Sequence, residues 1–184
     1  MSILDIRVLG DPVLRKETEI VESVTDDIRK LIDDMFETMY AAEGIGLAAP
    51  QIGRTERITV MDVEGQKFAL INPEIVDSEG SARGEEGCLS IPDIFGDVNR
   101  ATRVTVRAID ERGKEIEFQG TDLLARCLQH EIDHLHGKLF LDYLSVLKRR
   151  AALSKWETLK ADYPNYIRKV KLETKGPHHS EGEL

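Results

Sequence analysis

The chain has 184 residues, enough for one domain with a core of its own, and its 41% hydrophobic and 32% charged residues suit a water-soluble globular protein. A formal net charge of -9 argues against a chain built to bind nucleic acid, since phosphate neutralisation needs clustered Lys and Arg, and no sequence-specific nucleic-acid binding is expected. No apolar run approaches the roughly 20 residues of a membrane span, and residues 1–14 lack the basic start, long apolar stretch and cleavage site of a secretory signal, so a cytoplasmic location without membrane contact is expected.

In chain order, Ile28, Leu31, Ile32, Met35 and Met39 recur at three- and four-residue spacing, predicting an amphipathic helix from about Thr25 to Glu43 with Thr25 as N-cap and Gly44 as its stop. RITVMDV and KFALI flank Glu64-Gly65-Gln66, and TRVTVRAID and KEIEF flank Glu111-Arg112-Gly113; both read as antiparallel hairpins rich in β-branched residues. The segment between them, SEGSARGEEGCLSIPD, has the composition of a loop, with Cys88 near its end. A second helix is expected from about Thr121 to His136, carrying Leu124, Leu128, Ile132 and Leu135 inward and closing on Gly137. A third begins near Ser145. These elements make residues 1–163 one catalytic domain and residues 164–184 a polar extension, partly disordered, that includes His178 and His179.

The chemistry concentrates in HEIDH. His130 and His134 stand four residues apart, which puts both imidazoles on one face of a helix, one turn apart, with Glu131 beside them. Short H-E-x-x-H patterns also arise by chance in helices, so the third ligand of a catalytic site decides the class. The longer metalloprotease pattern would need a third histidine where this chain has Phe140. Glu157, in KWETLK, could supply a carboxylate ligand of the thermolysin kind, but without that family's surrounding signature. Two cysteines are too few for a disulfide framework, so each is a buried thiol, a nucleophile or a ligand. Cys127 shares a helix side with the histidines, yet lies about 10.5 Å along the axis from His134, whereas ligand atoms on one metal sit within about 4 Å of one another. Cys127 is therefore read as a small buried thiol, and Cys88 remains as the soft ligand. His136 points to another side. A metallopeptidase using Glu157 and a non-catalytic metal domain with a closed fourth position are the competing readings.

Three separated segments, GIGLAAPQ at Gly44 to Gln51, EGCLS at Glu86 to Ser90 and QHEIDHLHG at Gln129 to Gly137, together resemble the peptide deformylase family. The resemblance runs from about Leu9 to Leu147. It implies an α+β fold, with antiparallel strands packed around a central helix carrying HEIDH and a C-terminal helix, and removal of the formyl group from N-formyl-methionine of new proteins, releasing formate. Carried over, Cys88, His130 and His134 are the metal ligands, Glu131 is the acid/base, and the Gln51 side chain and Leu89 backbone N–H are oxyanion donors. Ile45, Gly46 and Leu47 would contact the peptide, and Leu123 and Cys127 would line an apolar pocket for the methionine side chain. One divalent ion per chain is implied, Fe(II) by the resemblance; by ligand softness the set also suits Zn(II), Ni(II) or Co(II). Arg126 and Phe95 depart from the family's usual apolar and basic residues at those positions. Asp133, facing away from the metal, is expected to pair with Arg100 and fix the loop against the helix. From Leu144 to Lys175, nine Lys and Arg stand against three Asp and Glu, a basic segment suited to contact with ribosomal RNA.

Overall fold

The structure is a computed structural model that describes residues 1–172. Its elements are β1 (Ile6–Arg7), α1 (Asp26–Ala41), β2 (Gly46–Ala48), β3 (Ile58–Val63), β4 (Gln66–Glu79), β5 (Ala82–Cys88), β6 (Ile91–Arg100), β7 (Arg103–Ile109), β8 (Glu115–Thr121), α2 (Asp122–Leu135), α3 (Val146–Leu159) and β9 (Ile167–Arg168). Strands β2-β3-β4-β7-β8 form one antiparallel sheet, β5 and β6 a separate hairpin, and β1 pairs with β9. The α+β class, the central HEIDH helix and the C-terminal helix are as expected. No helix of the described residues is long and apolar enough to cross a membrane.

Strands β2, β3 and Ala69 to Ile71 of β4 are buried on both faces of the sheet, while β7 and β8 leave alternate residues exposed, and the period of two shows why. Ile58 and Val60 of β3, with Ala69 and Ile71 of β4, pack beneath Leu31, Ile32, Met35 and Met39 of α1. Met61 and Val63, with Leu70, turn the other way, against Leu124, Leu128 and Ile132 of α2. The helix carrying HEIDH thus lies on one side of β3 and β4, and α1 covers the other side of those strands. A third core joins Cys88, Ile91, Ile94 and Val98 of the β5/β6 hairpin to Phe140, Leu144 and Trp156.

The helix ends follow capping chemistry. Thr25 Oγ1 accepts from the Ile28 N–H, with Asp26 and Asp27 in the first turn, and Ser145 caps α3 the same way through Lys148. Gly137 closes α2 at φ 69°, with its N–H on His134 O and that of Lys138 on Asp133 O. The stop of α1 differs from expectation. Glu43, at φ 61°, is the left-handed residue, and Gly44 is the next one, donating to Met39 O.

One further expectation is corrected. SEGSARGEEGCLSIPD is not a loop: it spans the end of β4, all of β5 and the start of β6, and Ala82 to Glu86 pair with Arg100 to Gly96. Within it, Gly84 lets the Arg126 guanidinium lie against the strand, since a Cβ there would stand 3.0 Å from Cζ. In the segment assigned to the extension, β9 pairs with β1 and Tyr166 O accepts from the Val8 N–H. His178 and His179 lie outside the described residues.

Candidate metal centre

Cys88 ends β5, His130 and His134 lie mid-way along and near the end of α2, and all three are buried. One ligand atom from each falls within 4.8 Å of the others. His134 Nε2 is 3.4 Å from Cys88 Sγ and 3.2 Å from His130 Nε2. A tetrahedral ion with bonds of about 2.0 to 2.3 Å has ligand atoms about 3.3 to 3.7 Å apart, so the set fits one divalent ion and leaves a fourth position for water or substrate. Burial holds His134 well below the usual imidazole range, which keeps it neutral as a ligand must be. These three residues are a metal-binding site.

Glu131 is fully buried beside them, and among the described residues neither carboxylate oxygen has a hydrogen-bond partner. Burial, and next the negative charge of Glu86, push its carboxyl well above the usual range. A buried, unpaired carboxylate is costly unless it has protons to handle, and perturbed acids of this kind mark reaction centres. Gln51, also buried, is fixed by its Oε1, which accepts from the Ala48 N–H at 2.8 Å; its Nε2 therefore points at Cys88 Sγ (3.6 Å) and donates to Ser90 Oγ (3.2 Å). Leu89 is buried at the turn between β5 and β6, where its carbonyl accepts from Arg168 Nη1 and that of Ser90 from the Leu9 N–H.

The expected Asp133–Arg100 pair is present at 2.6 Å, but it is the outer part of a larger network. Its centre is Glu86, two residues before Cys88 on β5. Arg100 donates to both Glu86 oxygens at 2.9 Å, Arg126 Nη1 to Oε2 at 2.7 Å, and His130 Nδ1 lies 2.9 Å from Oε1. Burial pushes the Glu86 carboxyl up, but the hydrogen bonds from His130 and Arg100 outweigh it and bring it down to about 2. An ionised Glu86 accepts a hydrogen bond from the Nδ1–H of His130, which fixes the tautomer and leaves Nε2 for the metal. Arg126 also donates to Val98 O and Ala82 O, fastening both strands of the hairpin to α2. Tyr143 covers the outside, with its hydroxyl on Asp133 at 2.7 Å and its ring 4.5 Å from Arg100 Cζ. Sequence reasoning missed Glu86 as a positioning group. Reading GEEGC as a strand would have found it, because residues two apart on a strand share a face.

The remaining candidates divide between the cores and the surface. Glu157 is exposed on α3 and paired with Lys160, so the thermolysin-type ligand set is excluded. His136 pairs with Glu17 at the surface. Cys127 lies in the α2 core with burial holding its thiol well up, and Ile45 packs against that same core. Leu47 is buried in the α1 core, Leu123 is half-exposed on the first turn of α2, and Phe95 is half-exposed on β6. Phe140, standing in place of a third histidine, is buried with its ring 6.4 Å from that of His130.

The polypeptide deformylase family model matches residues 3–150. A peptide deformylase of Alkalilimnicola ehrlichii is 56% identical over 163 residues, covering 86% of this chain and 92% of that protein. One from Thermodesulfovibrio yellowstonii is 50% identical, covering 87% and 100%. Among solved structures, the peptide deformylase of Legionella pneumophila is 50% identical with a TM-score of 0.82, covering 89% of this chain and all of that one. That of Ehrlichia chaffeensis in complex with actinonin is 44% identical with a TM-score of 0.83, covering 89% and 99%. With a Cys/His/His metal site on a matching fold, this chain belongs to the peptide deformylase family, metal-dependent hydrolases that remove the N-terminal formyl group from nascent proteins.

Proposed function

We propose that the chain deformylates N-formyl-methionine polypeptides with Glu131 as acid/base and with the Gln51 amide and Leu89 backbone N–H as oxyanion donors. The observation that carries this reading is the Glu131 carboxylate, buried and without a hydrogen-bond partner among the described residues, beside the three ligands. A divalent ion held by Cys88, His130 and His134 supplies Lewis acidity, lowering the pKa of water and polarising a carbonyl. Glu131 takes a proton from the attacking water as the new C–O bond forms, then delivers it to the amine nitrogen as the C–N bond breaks, giving formate and a free N-terminus. The Nε2–H of Gln51 and the N–H of Leu89 donate to the developing oxyanion, a contribution on the order of a hundredfold or more in rate for each donor.

The peptide lies along Ile45, Gly46 and Leu47. Strand β2 is an edge of its sheet, which suits an extended chain pairing through backbone groups, and the buried Leu47 side chain restricts that residue to backbone contact. Leu123 and Cys127 line the methionine pocket. Fe(II) is the native ion, residues 1–163 carry the whole catalytic function, and the protein works in the cytoplasm. Actinonin, bound by the Ehrlichia relative, binds this chain too. Exposed Val146 and Leu147, followed by Lys148 and Arg150, form the start of a ribosome-contacting surface on α3. Salt-sensitive co-sedimentation with ribosomes that survives Lys148→Glu with Arg150→Glu would remove that last point.

The test is anaerobic purification, quantification of iron and zinc, and assay of formate release from formyl-Met peptides beside cleavage of internal peptide bonds. Formate with intact peptide bonds is expected. Internal cleavage, or no formate from metal-loaded protein, overturns the reading.

A further inference from the structure

The geometry points to Gly46 as a positioning residue for the Glu131 carboxylate, one whose missing side chain is a space that the acid/base occupies. Neither Gly44 nor Gly46 has a left-handed φ, so backbone conformation does not demand glycine at either position. Close neighbours do. A Cβ on Gly46 would stand 2.5 Å from Glu131 Oε1 and 2.9 Å from its Cγ and Cδ, and a Cβ on Gly44 would stand 2.6 Å from Leu89 Cδ1. Each glycine of the GIG segment thus makes room for a different residue of the reaction centre.

The contact at Gly46 matters because no hydrogen bond among the described residues tethers the acid group of Glu131. With no hydrogen-bond partner among the described residues and no exposed surface, the carboxylate is held by packing, and the Gly46 backbone is one wall of its slot. Adding a methyl group there must push the carboxylate away, since Glu131 has no solvent to move into and β2 is pinned to β3 through Gly46↔Met61 and Leu47↔Val60. Displacements of about 1 Å at a reacting group cost on the order of a hundredfold in rate. Gly46 acts through Glu131 and so affects turnover, whereas a glycine needed only for the approach of the peptide backbone would act on KM.

This inference rests on Glu131 being the acid/base, and the experiment separates the two. Gly46→Ala, Glu131→Asp and the double variant are compared for kcat, KM and metal per chain, with Gly44→Ala and its own Glu131→Asp double as the second pair. Gly46→Ala is expected to lower kcat on the order of a hundredfold with KM and metal content near those of the parent chain. In its background the shorter Asp, lacking one methylene, fits the narrowed slot and costs far less than it does alone, a coupling absent from the Gly44 pair. A rise in KM with kcat retained, or additive effects in the Gly46 pair, overturns the proposal. Should Gly46→Ala alone fail to fold, a folded double variant supports the steric cause and an unfolded one overturns it. Glu131→Gln, assayed alongside, identifies the other failure: retained turnover there defeats the acid/base role itself.

Discussion

The metal site has two arms that are built in opposite ways. The α2 arm carries His130, Glu131 and His134 on one rigid helix, seated by Leu124, Leu128 and Ile132 on an apolar sheet face. The β5/β6 arm carries Cys88 and Leu89 on a two-stranded hairpin outside the main sheet, tied to α2 through Glu86, Arg100, Arg126 and Asp133. A helix gives its ligands their mutual geometry through its own hydrogen bonds. A hairpin ligand has to be fastened from outside, and here buried ion pairs fasten it to α2 while an apolar core with Phe140, Leu144 and Trp156 holds its other side. The two arms should therefore fail differently.

Arg100→Ala bears hardest on the hairpin arm. It leaves Glu86 buried without its bidentate partner, and breaking a buried pair costs about 3 to 5 kcal/mol. Thermal unfolding should report that loss, and metal analysis of the folded fraction should show depletion as the Cys88 arm loosens. Unchanged stability and metal content would show that the ion pairs do not fasten the hairpin. Leu128→Ala probes the other arm. It empties a fully buried site between α2 and the sheet, and about 2 to 5 kcal/mol should be lost in denaturant titration. The folded fraction should still hold its metal, because helix geometry keeps His130 and His134 together.

Tyr143→Phe gives the smallest effect, since it removes only the hydroxyl bonded to Asp133, worth about 0.5 to 1.5 kcal/mol. The pH dependence has a definite sign. Burial, followed by the hydrogen bond to Asp133, raises the Tyr143 phenol from 10.0 to about 12, so the folded state favours the protonated form. That contribution is fully present below pH 10.0 and is lost as pH rises toward about 12. Subtracting the Tyr143→Phe absorbance titration from that of the parent chain should isolate a phenol ionising near the upper value.

The α2 arm was legible in the sequence because its period of 3.6, its Gly137 stop and its metal spacing agree over residues 121–137. The other arm was harder. Cys88 was found by eliminating Cys127 through helix rise and by the EGCLS resemblance, while the strand around it was hidden by Gly80, Gly84 and Gly87, whose composition reads as turn. Gly84 and Gly44 serve close packing instead, the first against Arg126 and the second against Leu89. Glu86 went unseen for the same reason, since its role needs the two-residue strand period that a loop lacks. The pairing of β9 with β1 joins two ends of the chain in strands of two residues each, too short for any periodic pattern.

We propose that the two arms meet to hold one metal while Glu131 moves the proton. Metal content and formate release from a formyl-Met peptide, measured side by side on the parent chain and on Glu131→Gln, test it most directly. One divalent ion per chain in both proteins, with formate from the parent alone and a loss on the order of a hundredfold to ten-thousandfold in the variant, is the predicted result. Formate released by the metal-loaded variant at the parent rate would contradict it.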